Sequence, residues 1–403
     1  MLHVPIARLS VAALLFHPLS VAAETIDVDL PAAIARAHLV APEAIAARGH
    51  IVEARAAIIG ADVVFTTNPE IEGGVGPRLT TNRPLDAEAR LEQDLEPWRR
   101  EPRRRLARAG VARATTDADN TLRELDRDVS LAFYDARFAD GVVELARHGQ
   151  QLAQRAADVA VRRRKAGDIT DLDVNLARAS LGRANAAAQA AASERALAVG
   201  RLAVLIGAAP GDTVTLRGDL KAAAPDPGSP RIANRPDLRI LEAERDLAVA
   251  EHAQAVASGR PSIAVWAAYQ REDTANIVLG GLRMSLPLWN RAQGDTAAAR
   301  AKERRAIETR EATLKVASRQ VEDAFAAYDR AKLAVETFER EVAPLLEDSE
   351  QLLQKGLDAG QIAVADYLVA RQELASGRRE QLERLLALAR AATALRFVAG
   401  VAP

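Results

Sequence analysis

Residues 357–374 read LDAGQIAVADYLVARQEL, a break inside an Ala-, Leu- and Arg-rich region that otherwise predicts continuous helix. The same turn occurs earlier, as RKAGDITDLDVNLARASL at residues 164–181. A glycine in each supplies the left-handed conformation that a helix reversal needs. The matching pairs, all at an offset of 193, are Gly167 and Gly360, Asp173 and Asp366, Ala177 and Ala370, Arg178 and Arg371, and Leu181 and Leu374.

The match extends well beyond these turns. NPEIEGGVG from Asn68 aligns with RPSIAVWAAYQ from Arg260, LEPWRR aligns with LPLWNR, and LIGAAP with FVAGVAP. Self-similarity at a nearly fixed offset indicates a tandem duplication. The predicted segments are a first repeat at 24–207, an irregular Pro- and Gly-rich connector at 208–230 and a second repeat at 231–403.

Each repeat predicts a helix, two strands, a very long helix, a glycine turn and a returning helix, so the fold class is mainly α with a small β part. The predicted strands are 70–79, 87–96, 262–271 and 277–288, with hairpin loops at 80–84 and 272–276. The predicted helical hairpins are 103–206 and 291–398, with shorter helices near 42–60 and 236–258. The long helices, 103–164 and 291–355, would span roughly 93 Å and roughly 98 Å.

Both long helices carry small or apolar residues at alternating spacings of three and four, which is typical of a coiled-coil seam. An ordinary amphipathic helix is the alternative. The seam positions are 122, 125, 129, 132, 136, 139, 143 and 146 in the first half, and 321, 324, 328, 331, 335, 338, 342 and 345 in the second.

Composition excludes several classes of protein. The 403 residues carry a net charge of −1, which argues against nucleic-acid binding, and no cysteine, which excludes disulfides and thiolate-bound metals. His38, His50, His148 and His252 lack metal-ligand spacing and sit in no carboxylate cluster. No phosphate loop, Ser/His/Asp order or paired catalytic carboxylates occur, so we expect neither an enzyme nor a cofactor.

The N-terminus resembles a secretory signal. One arginine precedes the apolar run LSVAALLFHPLSVAA, and Val21 and Ala23 fit the small-residue positions before a cleavage site. We therefore predict that residues 1–23 are a removed signal peptide. No later run reaches the 18 apolar residues of a membrane-spanning helix.

The predicted strands alternate apolar and polar side chains over about ten residues, as strands of membrane β-barrels do. A half-buried soluble strand has the same pattern. Because a membrane sheet cannot leave its edges unpaired, four strands must either lie outside a membrane or be pooled by several chains. Three chains would supply twelve strands. Trp98 and Trp289 follow strands at equivalent positions and indicate an interfacial aromatic girdle, with core packing as the alternative.

The duplicated layout, the NPEIE segment and SLPLWNRAQGDTAAARA at 285–301 resemble the TolC-like outer-membrane efflux proteins. The last motif is most similar to the branch serving heavy-metal pumps of the cobalt–zinc–cadmium type. The resemblance implies a homotrimer with a twelve-stranded outer-membrane β-barrel and a periplasmic α-helical barrel. It also implies a periplasmic adaptor (membrane fusion protein), an inner-membrane pump of the RND type, and a passive duct for small solutes such as heavy-metal cations.

The resemblance also implies that the two glycine turns are periplasmic tips where adaptor hairpins dock. Asp366 falls on the first position of the family's paired-aspartate gate, but Val369 falls on the second. The tyrosine and arginine of the family gate fall on Leu357 and Ile362, so Asp366 alone remains a candidate. Its alternative role is that of an acid favoured by the helix dipole. The residues assigned to the tips and to docking are Gly167, Asp173, Ala177, Arg178, Gly360, Ala370 and Arg371.

Two other functions stay open at this point: an exit channel of a type I secretion system on the same fold, and a soluble periplasmic coiled-coil scaffold. The basic cluster WRREPRRRLARAG at 98–110 is compatible with a solvated surface or with anionic lipid headgroups.

Overall fold

The computed structural model describes residues 24–79, 85–220, 235–272 and 275–400. The predicted signal peptide at 1–23, the hairpin loop at 80–84 and residues 221–230 of the predicted connector lie outside these ranges, as do positions 273–274 of the second loop. Long helices dominate, accompanied by a small sheet, which confirms the fold class expected from the sequence.

The elements of the described chain follow a similar order in the two halves, except that two helices precede the hairpin in the first half and one in the second, and that two helices in the second half take the place of one long helix in the first. The first half contains β1 (Thr25–Val28), α1 (Leu30–Val40), α2 (Pro42–Asp62), β2 (Glu70–Pro77), β3 (Leu85–Leu95), α3 (Arg100–Ala166) and α4 (Asp171–Leu205). The second contains β4 (Thr213–Leu216), α5 (Pro236–Ser258), β5 (Ser262–Glu272), β6 (Ala275–Ser285), α6 (Gln293–Glu341), α7 (Ala343–Asp358) and α8 (Val364–Ala399).

The two hairpins join into one antiparallel sheet with the strand order β2-β3-β5-β6. Strand β3 pairs with β5 over nine residues, from Ala87 opposite Arg271 to Leu95 opposite Ile263. Within the described chain, the outer edges of β2 and β6 have no partner strand.

A second, parallel sheet pairs β1 with β4 and was not expected. The sequence predicts an irregular connector at 208–230, but its residues 213–216 form β4. Ile26, Val28 and Val214 bury their side chains, so the pair ties the start of the first repeat to the connector. Four-residue strands are too short to leave a readable alternation in the sequence.

The second long helix is also not continuous, contrary to the prediction for 291–355. It is interrupted at Val342, between α6 and α7, because Pro344 cannot donate to the carbonyl of Arg340 and its ring crowds that carbonyl. The seam ends at the same place: its positions are covered up to Phe338, whereas Leu345 is 64% exposed. The first seam has no exposed position.

The main core lies where α1, α3, α4, α6 and α8 meet the small parallel sheet, around side chains such as Val129, Phe133, Leu202 and Leu395. Smaller apolar clusters follow α3 down to the two glycine turns. None of the helices in the described ranges carries a segment long and apolar enough to cross a lipid bilayer.

Candidate functional site

The first tip turn is a fully capped reversal. Gly167 has φ 89°, and its N–H donates to carbonyls at the end of α3. Thr170 and Asp173 form a capping box: the Thr170 hydroxyl accepts from the Asp173 N–H at 3.3 Å, and the Asp173 carboxylate accepts from the Thr170 N–H at 2.9 Å. Hydrogen bonds from the hydroxyl and the backbone of Thr170 lower the pKa of Asp173. Arg164 adds a bidentate pair with Asp171 at 2.6 and 2.9 Å.

The second tip turn uses the same glycine conformation without the cap. Gly360 has φ 76°, and α8 begins after Ala363, which stands where the first turn has Thr170. A methyl group cannot accept a hydrogen bond, so Asp366 has no capping box to join. Among the described residues, the exposed Asp366 carboxylate has no hydrogen-bond or ion-pair partner. The two equivalent aspartates therefore differ: Asp173 completes the capping box of α4, and Asp366 has no partner in the described chain.

An apolar cluster fills the second tip where the resemblance places a polar gate network. Leu357 is only 2% exposed and packs with Tyr367, Ala156 and Val159. Burial raises the pKa of the Tyr367 phenol, so it stays neutral and acts as part of this core. Gly356 permits the packing, since a Cβ there would lie 2.4 Å from Ile362 Cδ1.

Arg163 binds the backbone of the two residues that replace the family's gate side chains. Its Nη2 donates to the Leu357 carbonyl at 3.3 Å and its Nη1 donates to the Ile362 carbonyl at 3.2 Å. These bonds tie the end of α3 to the turn between α7 and α8. The sequence did not single out Arg163, because its partners are main-chain atoms that no motif records.

Arg371 joins three helices, unlike its repeat partner. It donates to the Gly149 carbonyl at 2.7 Å and to the Ser180 hydroxyl at 2.8 Å, linking α8 to α3 and α4. Burial lowers the pKa of this guanidinium, and the nearby Arg183 adds to that effect. Arg178, at the equivalent position of α4, is exposed.

The other tip residues are distributed between core and surface. Ala177 is fully buried in a cluster with Val174 and Val364. Ala370 is half-buried, and Gly167 and Gly360 are exposed. Of the residues expected to contact an adaptor, the exposed ones are therefore Gly167, Gly360 and Arg178.

The four-stranded sheet has one apolar and one charged face. Register places most of the large apolar side chains of the four strands on one side, where most are exposed, whereas Trp266, Ile277 and Leu279 lie on the other. The apolar face carries Ile71 and Val75 of β2, Ala87, Ala89 and Leu91 of β3, Val265 and Tyr269 of β5, and Val278, Leu282 and Met284 of β6. A soluble sheet would cover such a face, whereas a lipid-facing sheet exposes it.

The opposite face carries paired charges around Trp266. Arg90 lies 3.0 Å from Glu92 and 4.6 Å from the centroid of the Trp266 ring. Arg283 also pairs with Glu92. The indole lies over Gly281, where a Cβ would come within 2.7 Å of it. This third tryptophan therefore lies on the polar face of the sheet.

The other two tryptophans follow the C-terminal ends of β3 and β6, which lie at the same end of the sheet. Trp98 is 38% exposed, and its Nε1 donates to the Pro261 carbonyl at 2.8 Å. Trp289 is 87% exposed. Neither is buried in a core, which leaves both rings at the boundary between sheet and helices.

The basic cluster at 98–110 has a structural role that the sequence did not reveal: its arginines satisfy the last carbonyls of α2, which lacks a capping hydrogen bond of its own. Arg103 donates to Val63 O at 2.7 Å and to Ala61 O at 3.3 Å, and Arg100 donates to Asp62 O at 3.3 Å. The cost of arginines at the start of α3 is thereby offset at the end of α2.

Glu96 connects this cluster to the sheet. Partial burial on its own would raise the pKa of Glu96, but hydrogen bonds from Thr66 and Arg103 and the charges of Arg103 and Arg99 lower it. The Glu96 carboxylate lies 2.9 Å from Arg103 and 2.7 Å from the Thr66 hydroxyl.

Each of the four histidines in the described chain binds one carboxylate. His38 and Asp126 are 2.5 Å apart, His148 and Glu350 are 2.5 Å apart, and the His252–Glu303 pair measures 3.5 Å. These three pairs join different helices, whereas the His50–Glu53 pair lies within α2. Within the described ranges, no group of three or more His, Asp or Glu side chains could hold a metal ion.

Helix α4 exposes a heptad seam of its own along its whole length. Its members are Leu172, Leu176, Ala179, Arg183, Ala186, Ala190, Ser193, Leu197, Gly200 and Val204, and each of them is exposed. Spacings of three and four with small or apolar side chains are those of a helix that packs on another helix. In the described chain, no helix covers this stripe.

Comparisons with known proteins give a fold for nearly the whole chain and a family match for its second half. Residues 230–401 match the family described as Outer membrane efflux protein (OEP). No curated protein sequence matches the chain.

Three solved structures illustrate the likeness. The match to CusC covers 94% of this chain and 94% of the CusC chain, with a TM-score of 0.76 and 17% identity. The match to a membrane protein from Pseudomonas aeruginosa covers 92% of this chain and 92% of that protein, with a TM-score of 0.75 and 20% identity. The match to the open state of the MtrE outer membrane channel from Neisseria gonorrhoeae covers 92% of this chain and 89% of that channel, with a TM-score of 0.70 and 18% identity. The chain thus shares the fold of these proteins over nearly its whole length, and its second half matches the family at the level of sequence.

Proposed function

We propose that this chain is the outer-membrane channel of a tripartite efflux system, a passive exit duct driven by an inner-membrane pump through a periplasmic adaptor. The observation that carries the proposal is the four-stranded sheet, whose apolar face is exposed and whose two edges are unpaired within the described chain. The match of residues 230–401 to the Outer membrane efflux protein family supports the same reading.

The assembly we propose is a homotrimer. Strand β6 of one copy would pair with β2 of the next, which satisfies the backbone of both edges in lipid and gives a closed barrel of twelve strands. The exposed seam of α4 supports a matching closure of the helical part, since a second copy of the chain would cover it. Trp98 and Trp289 would lie at the lipid–water boundary.

The partners we propose are an adaptor of the membrane fusion type and a pump of the RND type. Exposed residues at the two tips, Gly167, Gly360 and Arg178, support adaptor docking there. The buried Ala177 and the internally bonded Arg371 would shape the tip from inside.

The cargo we propose is heavy-metal cations. The support is the SLPLWNRAQGDTAAARA segment and the free Asp366 carboxylate, since three such groups around one axis attract cations.

A fractionation experiment tests the channel itself. We expect the chain to remain in the outer-membrane pellet after a carbonate wash, to run as a trimer in detergent and to conduct in planar bilayers. A soluble, monomeric chain without pore activity would instead identify a periplasmic scaffold.

Susceptibility of a deletion strain tests the cargo separately. We expect the deletion strain to be more sensitive to zinc, cobalt, cadmium, nickel or copper. Unchanged growth of the strain on all five metals would exclude the metal cargo but would leave the assignment as a channel intact. Loss of a secreted polypeptide from the medium would identify a type I secretion exit.

A further inference from the structure

A basic pocket lies where α6 begins, next to the end of the four-stranded sheet. It has a volume of about 730 Å³ and opens between the C-terminal end of α5 and the first turns of α6. We call it the α6 pocket; its charged lining residues are Arg291, Arg300, Arg304, Arg305 and Glu308. All four arginines are exposed, and none of them forms an ion pair with a carboxylate in the described ranges. The pocket therefore has an excess of positive charge.

The first repeat has arginines at the corresponding place, but it uses them inside the chain. Arg100 and Arg103 donate to carbonyls at the end of α2, and Arg104 pairs with Asp62 at 2.6 Å. The comparable contacts are missing around the start of α6, as far as the described part of the chain shows. The two repeats have thus diverged in what their basic clusters do.

Helix α5 ends without help from the arginines of α6. The N–H of Gly259 donates to carbonyls of the last turn of α5, and Arg99 Nη2 donates to the Ser258 carbonyl at 3.2 Å. Gly259 also lies against the Arg291 carbonyl, where a Cβ would come within 2.3 Å, so main-chain atoms close this side of the pocket. The three arginines on α6 are left without a carbonyl to satisfy at this helix end.

Two of these arginines also repel each other. Arg300 and Arg304 are four residues apart, so their side chains are neighbours on one face of α6. Like charges at this spacing destabilise a helix, and no carboxylate paired with them in the described chain offsets that cost. A bound anion would offset it. Guanidinium groups suit phosphate in particular, because they present paired N–H donors to its oxygens.

Exposed apolar side chains directly precede the pocket in the chain. Leu286 and Trp289 are 59% and 87% exposed. Two hydrogen bonds hold this segment together: Arg291 Nε donates to the Pro287 carbonyl at 3.2 Å, and Gln293 Nε2 donates to the Trp289 carbonyl at 3.2 Å. An apolar surface beside a cationic one complements an amphipathic anion, whereas a free phosphate ion would engage the arginines alone.

We propose that the α6 pocket binds the phosphate headgroup of an anionic phospholipid, whose acyl chains lie against the apolar residues from Leu286 to Trp289. The inference rests on the proposed function, which places Trp289 at the lipid–water boundary. Arg291 follows Trp289 by two residues, and Arg300 lies seven residues into α6, roughly 10 Å along the helix axis. Long arginine side chains extend back toward the interface while their helix continues into water. The lipid would anchor the junction between sheet and helices.

Lipid retained by the purified full chain tests the site. The protein is extracted in a neutral detergent, incubated with equal amounts of phosphatidylglycerol and phosphatidylcholine, and measured by native mass spectrometry. We expect phosphatidylglycerol to be retained about tenfold more, because both lipids have a phosphate but only this one has a net charge. In the pocket variant, Arg300→Gln with Arg304→Gln, the preference should fall to about twofold or less. The unfolding midpoint should not change, because both residues are exposed.

Two comparisons separate the site from general effects of charge. The matched control, Arg319→Gln with Arg330→Gln, removes two exposed arginines further along α6 and should keep the lipid preference. Excess inorganic phosphate, compared with chloride at the same ionic strength, should leave the lipid bound.

The proposal is overturned if both lipids are retained equally, if the pocket variant keeps the wild-type preference, or if the control variant loses it. Displacement of the lipid by inorganic phosphate would make the ligand a free anion instead. Loss of the trimer in the pocket variant, with an unchanged lipid preference, would assign the arginines to a neighbouring copy. The channel is judged separately: a monomer without conductance that still selects phosphatidylglycerol excludes only the channel, and a conducting trimer without this preference excludes only the lipid site.

Discussion

At the scale of single residues, the two tips show how a duplicated sequence diverges. The first turn keeps Thr170 and uses Asp173 as a cap. The second has Ala363 and leaves Asp366 exposed and without a partner in the described chain. The presence of threonine at one position and alanine at the other thus separates a structural carboxylate from one available to the solvent of the tip.

Removal of the free charge should change ion selectivity. For Asp366→Asn we expect cation conductance in planar bilayers to fall by about twofold or more, because three carboxylates around the axis of the proposed trimer would concentrate cations. Asp168→Asn, which removes an exposed charge from the other turn, is the control. Equal conductance in both variants and the wild type would reduce Asp366 to a helix-start residue.

The missing cap can also be restored without altering any charge. Ala363→Thr should rebuild the capping box with Asp366 and stabilise α8 by about 0.5–2 kcal/mol, measured by thermal or denaturant unfolding. Because the carboxylate would then be turned toward the backbone, cation conductance should also fall. The converse change, Thr170→Ala, should destabilise the first tip by a similar amount; a stability that rises with Thr170→Ala contradicts the assignment of the caps.

At the scale of elements, helix ends are satisfied by arginines from neighbouring helices. Arg103 and Arg100 donate hydrogen bonds to the last carbonyls of α2, and Arg163 donates to a carbonyl at the end of α7. Helix α2 has no capping hydrogen bond of its own, whereas α7 is already capped by backbone N–H groups of the turn. In both places arginines of α3 tie the end of the helix to α3.

Loss of the Arg163 bonds should loosen the second tip. We expect Arg163→Gln to cost about 1–3 kcal/mol of local stability, because a charged donor to two carbonyls is removed. The measurement is hydrogen exchange of residues 356–362, which should become faster. Arg162→Gln, at an exposed neighbour, is the control, and equal protection in both variants would count against the role of Arg163.

The Glu96 cluster should make the junction between sheet and helices sensitive to acid. Because the pKa of Glu96 is lower in the folded chain than its ordinary value of 4.5, its contribution to stability is complete above that value. It is lost as the pH falls through the lowered pKa. Glu96→Gln should therefore reduce the loss of stability between pH 5 and 3, as followed by unfolding midpoints; a variant with the wild-type pH profile would show that other carboxylates dominate.

At the scale of the whole molecule, the described chain leaves both edges of the four-stranded sheet unpaired and the seam of α4 exposed. Copies of the chain arranged around a common axis would pair the strand edges and cover the seam. The seam gives the sharper test, because its residues are exposed in the isolated chain and should tolerate substitution there.

A charge placed in the seam should disrupt assembly alone. For Leu197→Glu we expect a change within about 0.5 kcal/mol for folding of the single chain, as for other surface positions, but a shift from trimer to monomer in detergent. Gln189→Glu, on the same helix but off the seam, is the matched control. A Leu197→Glu protein that remains fully trimeric would exclude the α4 seam from the interface.

The sequence by itself determined the periodic features: the duplication, the four strands to within three residues at each end, the first long helix and the left-handed glycines at both turns. These depend on local backbone preference and on spacing, which one chain carries in full. Only the tertiary structure decided which equivalent residues do different work, namely the capped Asp173 and the free Asp366, the exposed Arg178 and the bridging Arg371. It also located the short β1–β4 pair and the helix break at Val342. The physical reason is that these features depend on contacts between residues far apart in the chain, often through main-chain carbonyls, which leave no pattern in the order of side chains.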